Sequence, residues 1–198
     1  MDELTRYGIL HQVPILQAEG MEFIEEYLRK NKVHSFLEIG TAIGRTALAA
    51  AEINPDCQVI TIERNPEMIE QARINFKKYD HRNQILLIEG DARIAEIPER
   101  RFDCIFIDAA KNQYRSFFER FSPMLEEDGI IISDNMNFHG MVDHPERTGN
   151  RHTRALLKRI REYREFLSQL DDFETEFLDL GDGIALTRRK KRKCSNFY

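Results

Sequence analysis

Short unbroken apolar runs alternate with stretches in which apolar residues recur every three or four positions, and this alternation extends through most of the chain. The runs at 36–39, 58–62, 85–89, 102–107 and 130–133 predict buried strands. Helical spacing follows the first run to about residue 53 and returns over 66–79 and 114–125. An earlier amphipathic helix is expected over 13–30, opened by Pro14, with Leu16, Phe23, Ile24, Tyr27 and Leu28 mostly inward. A last helix, about 150–170, should bury Leu156, Ile160, Tyr163, Leu167 and Leu170. Residues 174–180 and 183–187 then read as a hairpin turning at Gly181-Asp182. The pattern predicts an α/β chain, with a Rossmann-like, seven-stranded, mostly parallel sheet closed by an antiparallel C-terminal hairpin. Ligands bind such sheets at the carboxyl ends of the strands.

The first of those ends is the most informative. In LEIGTAIGRT (37–46), Ala42 and Ile43 stand where a dinucleotide fingerprint carries its middle glycine, between Gly40 and Gly44. A pyrophosphate needs a bare backbone there. Glu38 would also repel a phosphate. A carboxylate beside a glycine turn suits a cationic ligand instead, such as the sulfonium and ammonium of S-adenosylmethionine. Glu63 ends the second run 19 residues after Gly44, near the spacing at which an acid accepts hydrogen bonds from a ribose. Asp91, just past the third run, can meet an adenine amino group or cap the next short helix.

Oxygen ligands gather on the same edge. Asp108 follows the fourth strand, and Asp134 with Asn135 follows the fifth. Two carboxylates and an amide, without His or Cys, suit a hard cation such as Mg²⁺. Lys111, three residues past Asp108, can reach the same centre. Beside a divalent cation an ammonium is disfavoured, which would let Lys111 act as a base. His139, alone in a polar loop, reads as a surface residue, and Cys104 fills a mid-strand place for a small apolar side chain.

Composition narrows the classes. With 198 residues, 41% hydrophobic and 32% charged, the chain suits one domain over residues 1–187. No apolar run approaches a membrane span, no signal peptide is evident, and three cysteines without C-x-x-C spacing argue for a reducing, cytoplasmic setting. The formal charge of −5 is uneven. Residues 188–193 carry six positive charges, leaving −11 on the rest. A disordered basic tail over 188–198 on an acidic body suits a polyanionic partner or serves as a solubilising end. Arg151, Arg154, Lys158 and Arg161 form a second basic stripe, on the helix face opposite the apolar one; such a stripe is usually a solvated face.

In this order and spacing, LEIGTAIG, TIERN, EGDA, FIDAAK and SDN resemble the cation-dependent, catechol-type O-methyltransferase family, over essentially residues 13–187. HQVPI, FIDAAKNQY and the closing GDGIAL with its basic tail are similar to members that methylate a hydroxyuridine of tRNA. The resemblance implies a class I methyltransferase fold and an S-adenosylmethionine site formed by Leu16, Glu38, Gly40, Thr46, Glu63, Asp91, Ala92 and Asp108. It implies Mg²⁺ or another hard cation on Asp108, Asp134 and Asn135, with Lys111 and Asp108 catalytic. It further implies a homodimer and a tRNA anticodon stem-loop as partner, met by Arg151, Arg154, Lys158, Arg161, Arg188, Arg189, Lys190 and Lys191. The expected reaction converts wobble 5-hydroxyuridine to 5-methoxyuridine; the alternative substrate is a small catechol or hydroxycinnamoyl compound. A non-catalytic module that binds cofactor and RNA would have no use for a metal set and a base.

Overall fold

The computed structural model describes residues 3–138 and 140–191. Its strands are β1 (Ser35–Ile39), β2 (Gln58–Glu63), β3 (Ile85–Glu89), β4 (Phe102–Ile107), β5 (Leu125–Ser133), β6 (Phe173–Leu178) and β7 (Ile184–Arg189). They form one sheet in the order β3-β2-β1-β4-β5-β7-β6. Strands β1 to β5 run parallel, and β7 lies antiparallel to both β5 and β6. The order turns back between β1 and β4, so the crevice at their carboxyl ends is the place for a ligand. Strand β1 is buried at every position because it is central and covered on both faces.

The helices are α1 (Glu3–Leu10), α2 (Ala18–Asn31), α3 (Arg45–Ile53), α4 (Pro66–Tyr79), α5 (Tyr114–Phe121) and α6 (Arg151–Ser168). One apolar layer joins α2 and α3 to the sheet through Ile24, Leu28, Ala47, Phe36 and Phe106. The other joins α5 and α6 through Phe117, Phe121, Tyr163 and Leu167. Phe36, Phe102, Phe106 and Phe121 leave water completely, each stabilising the fold by roughly 1.5–3 kcal/mol. Caps act where the sequence allows them. The Asn65 side chain accepts from Glu67 N ahead of Pro66, and Asn150 accepts from His152 N and Thr153 N.

Several boundaries differ from the pattern. The helix expected from residue 13 begins at Ala18. The residue before a proline is pushed into extended backbone, and residues 13–17 form an extended strap with Val13 and Leu16 buried. Helix α1 precedes this strap, tied back by Lys78 and Tyr79 hydrogen bonds to Glu3. No helix separates β3 from β4 among the described residues. Pro98 interrupts that segment, and Arg120 on α5 donates to the Arg93 and Ala95 carbonyls that a helix would otherwise satisfy. Helix α5 stops at Phe121, before Pro123, and β5 starts at Leu125. On α6, Leu157 is fully buried while Leu156 is only partly so. The expected domain end at 187 also moves: β7 runs through Arg189, so Arg188 and Arg189 are ordered strand residues instead of disordered tail.

Candidate active site

The site grows from the turn after β1. Gly40 has φ +101°, and a Cβ there would lie 2.0 Å from the Asp108 carbonyl oxygen. At Gly44, φ +82°, a Cβ would strike the Phe76 ring. These glycines let the β1 exit press against β4 and α4, as left-handed backbone without a side chain allows. Ala42, φ +46°, is held by its N–H donating to Glu63 Oε2 at 2.9 Å. The other Glu63 oxygen accepts from the Arg64 and Asn65 amides. Glu63 therefore clamps two strand exits together as well as facing the cleft. The sequence pattern showed its position but not this clamp.

Beneath the turn, Glu38 is 1% exposed, and the Thr61 hydroxyl donates to it at 2.5 Å. Burial pushes its carboxyl up to about 8, with the Asp108 and Glu63 charges adding to the rise. A cation arriving here would favour the ionised form.

A cleft of about 500 Å³ opens at the carboxyl edge, lined by Pro14, Gly40, Glu63, Asp91, Asp108 and Lys111 among others. Ala92 lines it too, and a smaller hollow sharing Gly40 and Asp108 holds Leu16, Glu38 and Thr46. The eight expected cofactor residues are thus divided between these two hollows, which share Gly40 and Asp108. Asp91 is the most committed of them. Arg93 donates to its carboxylate through the side chain and backbone, with Arg64 at 3.7 Å, and these cations lower its carboxyl to about 2. Its carbonyl accepts from Ile94 N and Ala95 N, so it caps a turn where a short helix was expected.

Asp108, Asp134 and Asn135 converge as the sequence suggested. The Asn135 amide donates to Asp134 Oδ2 at 2.5 Å and to Asp108 Oδ1 at 3.4 Å. Asn135 sits at φ +62°, a strained backbone that asparagine tolerates better than most. Burial raises both carboxyls, Asp134 further through the Asp108 charge, while Lys111 opposes the rise. The Lys111 ammonium lies 5.9 Å from the Phe138 ring centre. Among the described residues no three His, Cys, Asp or Glu side chains cluster for a metal. The set is instead two carboxylates and one amide, whose neutral NH₂ donates hydrogen bonds to both acids. A hard cation fits that place once the amide turns to present its oxygen.

Two further residues escaped the sequence reading. Tyr114 is 1% exposed, its ring edge-on to Tyr163 at 5.4 Å, and its hydroxyl makes no well-formed hydrogen bond beneath the acids. Its place in FIDAAKNQY was visible, its direction was not. Asp182, in the hairpin turn, accepts from Asn137 N through its carbonyl and adds negative charge near Asp134.

The model of the O-methyltransferase family matches residues 1–190. The chain belongs to the O-methyltransferase family. It is an S-adenosylmethionine-dependent O-methyltransferase. Caffeoyl-CoA O-methyltransferase 1 of Eucalyptus globulus is 28% identical over 205 residues, covering 96% of this chain and 81% of that one. Among solved structures, a Staphylococcus aureus protein assigned as a caffeoyl-CoA O-methyltransferase is 37% identical, with TM-score 0.89 over 94% of this chain and 90% of that one. A Podospora anserina methyltransferase solved with S-adenosylhomocysteine is 26% identical, with TM-score 0.82 over 96% and 88%.

The basic residues of this methyltransferase fall into two places. Arg151, Arg154, Lys158 and Arg161 are exposed along α6, whose first turn follows the loop leaving Asn135. The terminal block lies elsewhere. Arg188 pairs with Ile130, three residues before Ser133, so it sits about 10 Å back from the ligand edge. There it lies over the Tyr27 ring; Arg189 donates to Ser122 O, and the Lys190 ammonium to Leu170 O. Lys191 is exposed beside them, and His139 and residues 192–198 lie outside the described residues.

Proposed function

We propose that this O-methyltransferase methylates the 5-hydroxyl of 5-hydroxyuridine at the wobble position of tRNA, giving 5-methoxyuridine. The observation that carries the reading is the stripe Arg151, Arg154, Lys158 and Arg161. It occupies positions 151–161 at the start of α6, which the loop 136–150 joins to Asn135, and spans about 15 Å. A row of cations that long can follow neighbouring phosphates of a nucleic acid strand, where a small catechol needs none of them.

S-adenosylmethionine supplies an electrophilic methyl group, and a divalent cation on Asp108, Asp134 and Asn135 would polarise two neighbouring oxygens of the substrate ring. The protein's own residues do the rest. Glu38 and Asp108 face the cofactor's positive charge, and Glu63 offers acceptors for the ribose hydroxyls. The strap at 13–17 roofs the space and limits water entry. Lys111 stands at the cleft wall, three residues past Asp108, to take the proton of the attacking hydroxyl. Holding the oxygen in line with the methyl group lowers the barrier through proximity.

A second reading is favoured by the Eucalyptus relative. Its name specifies a caffeoyl-CoA substrate, a catechol on a phosphate-bearing carrier, and the same site could take one. The two separate on salt. Replacing Arg151, Arg154, Lys158 and Arg161 with Ala should raise KM for an anticodon stem-loop and flatten its salt dependence, by a slope of about 0.7 to 0.9 for each phosphate no longer neutralised. An unchanged KM and slope on RNA would refute the tRNA reading.

A further inference from the structure

Two acids and an amide meet above a buried phenol. Tyr114 opens α5 directly after the short turn 111–113, three residues past Lys111. Its side chain is 1% exposed, and its hydroxyl makes no well-formed hydrogen bond. The Ala109 amide approaches the phenol oxygen, which leaves the phenol's own proton without an acceptor, and the Asp108 and Asp134 charges both act on it. Tyr163 does not relieve it. That ring stands edge-on at 5.4 Å, and its hydroxyl is paired with Ser133 Oγ at 2.9 Å. A buried hydroxyl without a partner costs stability, so one kept beside two carboxylates calls for a state in which it bonds.

The ligand set supplies that state. Without a cation the Asn135 amide donates to Asp134 Oδ2 and to Asp108 Oδ1, the second bond long at 3.4 Å. A hard cation fits here once that amide turns its oxygen inward, and the turn withdraws its N–H groups from both acids. Carboxylates that hold a cation keep their orientation through outer hydrogen bonds. The Tyr114 proton is a donor in reserve beneath them. Asp108 is the acceptor it suits, because the Asp108 charge weighs more on the phenol than that of Asp134 and its bond to Asn135 is the weaker one.

We propose that Tyr114 is a positioning residue for the bound cation, its hydroxyl donating to the Asp108 carboxylate in place of the Asn135 amide. The proposal rests on the cation reading of Asp108, Asp134 and Asn135.

Titration with Mn²⁺, the free ion read by electron paramagnetic resonance, tests it on full-length wild type, Tyr114→Phe and Tyr163→Phe, alongside denaturant unfolding of each without cation. Tyr114→Phe should bind Mn²⁺ at least about tenfold more weakly, the usual effect of losing an outer partner of a ligand. Its cation-free stability should stay level or rise, because only an unpartnered hydroxyl is removed. Tyr163→Phe should show the reverse, losing stability with its Ser133 bond and keeping Mn²⁺ affinity within about twofold. Undiminished Mn²⁺ affinity in Tyr114→Phe would overturn the proposal. So would a parallel loss of affinity and stability, which would make Tyr114 a support of the core. An equal loss of affinity in Tyr163→Phe would trace the effect to the ring pair and also overturn it. Failure of wild type to bind Mn²⁺ would overturn the cation reading itself, an outcome distinct from the others.

Discussion

Single residues in this site do several jobs, and their burial sets how they respond to pH. Glu38 is the clearest case. Its carboxyl is pushed up to about 8 against an ordinary value of 4.5, so between those values the folded ligand-free protein holds a proton that the unfolded chain releases. Stability from this group is fully present below about 4.5 and falls as pH rises towards 8. Glu38→Gln should therefore gain stability relative to wild type as pH rises from about 5 to 8, read by denaturant unfolding without ligand. A constant difference across that window would contradict the burial argument. The acids after β4 and β5 differ from Glu38 in what they serve. Asp134→Asn should abolish divalent-cation binding and turnover while leaving S-adenosylhomocysteine affinity within about twofold, because Asp134 lines neither hollow. Asp108→Asn should damage both, since Asp108 borders both hollows as well as the metal position. Full turnover of chelator-treated wild type would contradict the metal assignment.

At the scale of elements, the strands were legible because unbroken apolar runs on a central parallel sheet have few rivals. Strand ends were legible for the same reason, and with them Glu38, Glu63, Asp108 and Asp134. What stayed hidden depended on contacts between distant segments. Nothing local marks the α1–α4 tether through Glu3, Lys78 and Tyr79. Pro14 suggested a helix start but instead shapes a strap, because a residue before proline is held extended, and Leu16 packs into the α2–α3 side of the core. Leu156 and Leu157 are adjacent, and periodicity alone could not choose between them. The Arg188–Arg189 pair read as tail chemistry because charge runs usually are. In the fold Arg188 covers Tyr27, and Arg189 lies over Phe173 and bonds Ser122.

For the whole molecule, the division of the sheet into two ends organises the function. The carboxyl end holds the cleft, Asp108, Asp134, Asn135 and Lys111. The opposite end holds Arg188–Lys191, where Lys190 bonds the Leu170 carbonyl just past α6 while Arg188 lies over Tyr27 of α2, on the other face of the sheet. The identity of the substrate is then the decisive question. The most direct measurement is competition between equal concentrations of a 5-hydroxyuridine-containing anticodon stem-loop and caffeoyl-CoA, with labelled S-adenosylmethionine and Mg²⁺ at near-physiological salt. Label should appear in 5-methoxyuridine, with kcat/KM for the stem-loop at least about tenfold above that for caffeoyl-CoA, a gap of about 1.4 kcal/mol in transition-state binding. Label found chiefly in the methylated hydroxycinnamoyl product, with the RNA unmodified, would contradict the tRNA assignment.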